Sequence, residues 1–247
     1  MPKQTTDCLI FAHRGASQDA MENTRLAFDK ALEYAADGIE TDVQLTRDEI
    51  TVLWHDHFLD KVGLAGKRID DFNYDQLKSL GLMQDSSHAG IMSLQSFLDT
   101  YRKHCRLLIE IKNNPWEAVS RHEIKIRQTM NMIGSVSDQP IIISSFNLTS
   151  LIYAQRYRPG FPLVYNLEAE QTVTEVQQVL INQPFLYGFC LPIETLDNAM
   201  VDLLRKQSKS IAVYTCNSDE EINKALKFGV DILISDLPHH ALKIRDT

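Results

Sequence analysis

No stretch of this 247-residue chain is apolar for long enough to cross a membrane, so stable membrane insertion is not expected. The apolar run at 8–12 is too short for the core of a secretion signal, and the expected location is the cytoplasm. Cysteine is scarce: Cys8, Cys105, Cys190 and Cys216 are far apart and show no CxxC spacing, which points to buried free thiols in a reducing compartment. Positive charge is in deficit, with 25 Lys and Arg against 33 Asp and Glu and a net charge of -8. Such a surface repels nucleic acid and anionic membrane. It does not exclude an anionic substrate, because a local metal and a few basic groups can reverse the field inside a pocket. There is no internal repeat, low-complexity tract or interdomain linker.

What is present is the material of an ordinary globular core, 44% hydrophobic and 23% charged. Residues 1–247 are therefore read as one domain. Apolar, strand-like runs recur at 8–12, 38–43, 106–112, 140–145, 162–166, 186–191, 210–214 and 231–235, with helical patterns between them. A first helix starts near Asn23 or Thr24, places Phe28, Ala31, Leu32 and Ala35 on one face, and stops at Gly38. Thr172 with Glu175 and Ser218 with Glu221 have capping-box spacing, and 147–156 and 196–206 read as two further helices.

The run 51–54 lies too close to Val43 for a parallel crossover, so it should fold back as a hairpin turning near Arg47–Glu49. Leaving it out of the count gives eight parallel strands. The expectation is a (β/α)8 TIM barrel with a β-hairpin extension after strand 2. The segment 58–90 breaks the alternation and reads as a small inserted lobe or lid without a full core of its own. It shows few large apolar side chains clustered together.

Barrel active sites lie where strands end and lead into helices. His13 and Arg14 follow strand 1, Glu40 and Asp42 lie near the end of strand 2, and Glu110 and Lys112 end strand 3. His55 and Asp56 end the return arm of the hairpin. Residues i and i+2 share a strand face, so Glu40 and Asp42 repel each other unless a cation or proton neutralises them. With Glu110 they form a hard-cation site suited to Mg²⁺ or Ca²⁺, or else structural ion pairs with Arg14 and Lys112. Lys112 could hold a phosphate oxygen, a role favoured over the Schiff-base lysine of a barrel aldolase. His13 and His55 are the candidate acid and base. Arg14 could grip phosphate through two hydrogen bonds, or pair with Glu22 or Asp56.

These residues resemble the glycerophosphodiester phosphodiesterase family. The resemblance runs through His13-Arg14-Gly15-Ala16-Ser17, Glu22-Asn23-Thr24, Gly38-Ile39-Glu40-Thr41-Asp42, His55-Asp56, Glu110-Ile111-Lys112, Ser145-Phe146, Tyr214-Thr215-Cys216-Asn217 and Ser235-Asp236-Leu237-Pro238. It implies hydrolysis of glycerophosphodiesters to sn-glycerol 3-phosphate and an alcohol. It also implies one divalent cation held by Glu40, Asp42 and Glu110, with His13 and His55 as acid and base and Arg14 and Lys112 on the phosphate. Tyr214 stands where tryptophan is common near the glycerol end of the pocket. Met21 replaces a usual proline, Arg47-Asp48-Glu49 lacks a usual turn glycine, and Leu59-Asp60-Lys61-Val62 matches only loosely. The rivals are a lysophospholipase D or sphingomyelinase D-like phosphodiesterase and a non-catalytic barrel that binds phosphate esters. The expected partner is a small-molecule substrate, and the question of a homo-oligomer is left open.

Overall fold

The computed structural model describes residues 8–83, 90–134 and 141–247. Position 140 of the strand-like run 140–145 and residues 84–89 of the segment 58–90 lie outside them. Eight parallel strands form the barrel: β1 (Leu9–His13), β2 (Gly38–Leu45), β5 (Arg106–Ile111), β6 (Ile142–Ser145), β7 (Leu163–Asn166), β8 (Gly188–Pro192), β9 (Ser210–Tyr214) and β10 (Ile232–Ser235). β1 pairs with β10 through Phe11 and Ile234 and with β2 through His13 and Glu40, which closes the ring. The helices α1 (Arg25–Glu33), α3 (Leu94–Tyr101), α4 (Val119–Ile133), α5 (Leu148–Tyr157), α6 (Val173–Asn182), α7 (Asn198–Lys206), α8 (Asp219–Lys227) and α9 (Pro238–Arg245) alternate with the strands. This is the TIM-barrel architecture expected from the strand spacing.

Among the described residues the barrel and its helices form two apolar cores. The larger lies between strands and helices and includes Ile39, Val43, Phe97, Ile109, Ile143 and Leu163. The smaller fills the barrel from Phe11, Leu108, Ile142, Val164, Ala212 and Ile232. Because side chains alternate along a strand, the next inward positions after this floor are His13, Glu110, Ser144, Asn166, Tyr214 and Ile234. The barrel therefore changes from apolar at its floor to largely polar at its rim within two residues, with β10 the exception at Ile234.

The helix signals hold with two corrections. Thr24 caps α1, Asn147 caps α5, and both capping boxes form. Asp197 caps α7, so that helix begins two residues later than expected and the stretch Ile193–Thr195 is a short 3-10 turn. Gly38, however, does not stop α1. The chain leaves the helix at Ala35, which adopts a left-handed φ of 59°, while the Ala36 N–H closes onto the Ala31 carbonyl at 3.0 Å. Gly38 instead opens β2, where a Cβ would come within 2.5 Å of the Phe11 ring. Its bare backbone makes room for that ring in the barrel floor.

The hairpin strand β3 (Thr51–Leu53) runs antiparallel to β2, as the short connection required. Glu49 takes the positive φ that the absent glycine would supply, at 64°. A two-residue strand, β4 (Met92–Ser93), then pairs with β3, too short to be seen in the sequence. The segment between them holds 3-10 turns at Asp60–Val62 and Ile69–Asp71 and the helix α2 (Tyr74–Ser79). Here the expectation of little apolar clustering fails. Leu59, Ile69, Leu77 and Met83 are buried together with Val52, Trp54 and Ile91. Their irregular spacing hides a cluster that forms only when two 3-10 turns and a helix fold against the hairpin.

Among the described residues no helix is long and apolar enough to cross a membrane. All four cysteines are free and buried.

Candidate active site

The rim residues converge. His13, Arg14, Glu40, His55, Glu110, Lys112, Asn166 and Tyr214 line one cavity of about 190 Å³ at the carboxyl ends of the strands. Asp42, only 1% exposed, lies behind this wall, and its carboxylate still comes within 4.8 Å of those of Glu40 and Glu110. His57, His122 and His240 lie elsewhere, against Trp116, Glu117 and Asp219 respectively.

The turn after β1 sets the first wall. Arg14 and Gly15 both have positive φ, and a Cβ on Gly15 would strike the Ala27 backbone at 2.6 Å. That tight passage lets the Arg14 N–H donate to Glu40 Oε2 at 3.0 Å. The Arg14 side chain pairs with Glu22 at 3.0 Å and with Asp42 at 3.3 Å, while Asp56 is not its partner. Asn23 Nδ2 donates to Asp42 at 3.0 Å, and its own carbonyl accepts from Thr41.

The charge balance shows what the cluster lacks. Lys112 Nζ is 2.7 Å from Glu110 and 3.5 Å from Asp42. The ion-pair and metal-site readings are thus both visible in one place. Burial opposes charge on Asp42, but Lys112, Arg14, His55 and the Asn23 amide hold its carboxyl below the usual range. Burial and the charges of Asp42 and Glu110 push Glu40 well above that range, against the pull of Arg14. Three buried carboxylates against two cations leave Glu40 undercompensated, and all three offer oxygen donors to one point. This donor set fits a hard divalent cation.

Each histidine is held by an acid. His13 Nδ1 lies 2.6 Å from Asp236 Oδ1, and His55 Nδ1 lies 2.9 Å from Asp56 Oδ1. A carboxylate can only accept, so Nδ1 is the donor in both and Nε2 is left for the cavity. Asp236 also accepts from Ser17 Oγ at 2.8 Å and from Asn217 Nδ2 at 2.7 Å. Burial would raise its carboxyl, but the bonds and charge from His13 and the amide and hydroxyl donors bring it down to about 2. The backbone that carries His55 is clamped by Gln44, whose Nε2 lies 2.9–3.2 Å from the carbonyls of Trp54, His55 and Asp56.

Sequence reasoning did not single out Asp236, Gln44 or Asn166. Asp236 had a signal, an acid directly after the last strand at the same rim. Asn166 is 5% exposed, donates to Glu110 at 3.3 Å, and its carbonyl oxygen has no partner among the described residues although the residue lines the cavity. Tyr214 reaches the cavity with its ring, because its hydroxyl is spent on the Leu167 carbonyl at 2.6 Å. The ring stands edge to face with Phe146 at 6.0 Å.

Known proteins share this arrangement of the chain. A glycerophosphodiester phosphodiesterase of Bacillus altitudinis is 29% identical over 252 residues, covering 96% of this chain and 98% of that protein. The crystal structure of a glycerophosphodiester phosphodiesterase from Thermotoga maritima aligns with a TM-score of 0.78 at 26% identity, covering 96% of this chain and 97% of that one. An Oleispira antarctica phosphodiesterase, solved with its product sn-glycerol-3-phosphate, shares the fold at a TM-score of 0.82 and 22% identity over 97% of each chain. Residues 13–240 match the glycerophosphoryl diester phosphodiesterase family, a span that takes in every candidate site residue, and the chain belongs to that family.

Proposed function

We propose that this protein hydrolyses glycerophosphodiesters to sn-glycerol 3-phosphate and an alcohol. One observation carries the reading: two imidazoles, each pinned through Nδ1 by its own carboxylate, face one cavity that also holds Lys112, Arg14 and a three-carboxylate cluster. Cleaving a phosphodiester needs one group to take a proton from the attacking oxygen and another to give one to the leaving alkoxide. His13 and His55 present free Nε2 positions for these two tasks. Attack by a glycerol hydroxyl through a cyclic phosphate and direct attack by water both use the same pair.

Glu40, Asp42 and Glu110 would hold one divalent cation, Mg²⁺ or Ca²⁺. When bound, it supplies Lewis-acid charge to the phosphoryl group and offsets the excess negative charge at Glu40. Lys112 and Arg14 stay charged in this setting, since the surrounding carboxylates outweigh the effect of burial on both. They are placed to hold phosphoryl oxygens and to stabilise charge that develops there. The ring of Tyr214 beside Phe146 offers an apolar contact for the glycerol carbons.

At about 190 Å³ the cavity is smaller than the roughly 300–1,000 Å³ typical of drug-sized ligands, so an acyl chain would remain outside it. That favours a water-soluble diester over a lysophospholipid. Four buried free thiols suit a reducing compartment such as the cytoplasm. We read 58–90 as an insertion in a single domain. The test is a substrate panel assayed for glycerol 3-phosphate with and without a chelator. Release from glycerophosphocholine but not choline release from lysophosphatidylcholine is expected. No release from any glycerophosphodiester in the presence of Mg²⁺ or Ca²⁺ would reject the reading.

A further inference from the structure

Lys61 sits on the 3-10 turn Asp60–Val62 of the inserted segment. Its Nζ is 2.9 Å from Glu22 Oε1 and 2.9 Å from Asp56 Oδ2. Each carboxylate spends its other oxygen on the candidate site. Glu22 Oε2 accepts from Arg14 Nη1 at 3.0 Å, and Asp56 Oδ1 accepts from His55 Nδ1 at 2.9 Å. One ammonium therefore lies at the fork of two relays, one ending on a proposed acid–base imidazole and the other on a proposed phosphate ligand.

We propose that Lys61 is a positioning residue through which the inserted segment fixes the orientations of His55 and Arg14 together. The inference rests on the proposed roles of those two side chains. The polypeptide alone does not settle where Asp56 points. Its carboxylate is one third exposed and has two rotatable bonds. Bonds to His55 on one oxygen and Lys61 on the other remove that freedom and fix the His55 tautomer. Glu22 is fixed in the same way, and Arg14 thereby keeps its fork between Glu22 and Asp42.

The chemistry separates this role from simple stabilisation. The Lys61 side chain is 44% exposed, and ion pairs so open to water add little to folding. Misplacement of reacting groups by fractions of an ångström costs rate heavily even where stability hardly changes. Removing the ammonium should therefore be seen in turnover and in the His55 ring far more than in melting.

The experiment compares the full-length protein with Lys61→Met and Lys61→Arg. It reads kcat and KM for glycerophosphocholine, the thermal midpoint, and the ¹⁵N shifts of the His55 ring, which report the nitrogen that carries the proton. Lys61→Met should lower kcat about tenfold and move the thermal midpoint by no more than about 2 °C. Its His55 ring should show mixed tautomers, whereas the wild type and Lys61→Arg show the Nδ1–H form alone. Lys61→Arg should recover kcat to within about threefold, since a guanidinium can also span two carboxylates. Wild-type kcat and a single tautomer in Lys61→Met would overturn the proposal, as would equal losses in both variants. If the wild type released no glycerol 3-phosphate, the proposed function would fail, and the tautomer comparison would still decide whether Lys61 positions His55.

Discussion

Asp236 and His13 are 223 residues apart in sequence and 2.6 Å apart in the fold, joined carboxylate to Nδ1 where the last barrel strand meets the first. Asn217 and Ser17 hold the same carboxylate from two other loops. The ends of three strands, β1, β9 and β10, thus define the direction in which His13 Nε2 points. The consequence is testable at the imidazole and at its anchor.

Replacing either histidine with asparagine should lower kcat on the order of 10²-fold or more. Asp236→Asn should cost about tenfold to 10²-fold with KM nearly unchanged, because an amide can turn its N–H toward Nδ1 and favour the wrong tautomer. Steady-state kinetics on glycerophosphocholine checks both. Near-normal turnover in His13→Asn and His55→Asn would remove the acid–base assignment.

Asp236 also sets an acid limit on stability. Its folded value of about 2 is below its ordinary 3.8, so the folded chain binds this proton more weakly than the unfolded chain. The stabilisation is complete above about pH 4 and is lost as pH falls toward about 2. Solvent reaches 28% of the side chain and trims the effect. Urea unfolding of the wild type should weaken across that window more steeply than unfolding of Asp236→Asn. Parallel pH profiles would contradict the assignment.

Glu40 carries the opposite sign. Its raised folded pKa gives a contribution to the stability of the cation-free protein that is complete below the ordinary carboxylate range and is lost as pH rises through the folded value. A cation on the cluster should relieve this penalty. Mg²⁺ or Ca²⁺ should then raise the thermal midpoint more at pH 8 than at pH 5, relative to EDTA. Activity should vanish in EDTA and return with the metal. Equal midpoints with and without metal at pH 8 would count against a cation at this cluster.

Asn166 presents a buried carbonyl oxygen with no partner among the described residues. If it accepts from a glycerol hydroxyl, Asn166→Ala should raise KM for glycerophosphocholine about threefold to tenfold, the value of one neutral hydrogen bond, with a smaller effect on kcat. An unchanged KM would show that this oxygen does not meet the substrate.

The sequence by itself determined the eight strands, the hairpin and the rim groups His13, Arg14, Glu40, Asp42, His55, Glu110 and Lys112. Strand alternation and the i, i+2 pairs are local, so Glu40 with Asp42 and Glu110 with Lys112 could be placed on one face before any fold was known. The capping boxes at Thr172 and Ser218 were legible for the same reason. Only tertiary structure decided that Gly38 makes room for Phe11, that the 58–90 segment buries Leu59, Ile69 and Leu77 in one cluster, and that Asp236 anchors His13. Closing β1 onto β10 brings residues from the two ends of the chain within hydrogen-bond reach, and folding the turn Asp60–Val62 against the rim brings Lys61 to Glu22 and Asp56. Such contacts depend on register and on packing between distant elements, and no spacing along the chain encodes them.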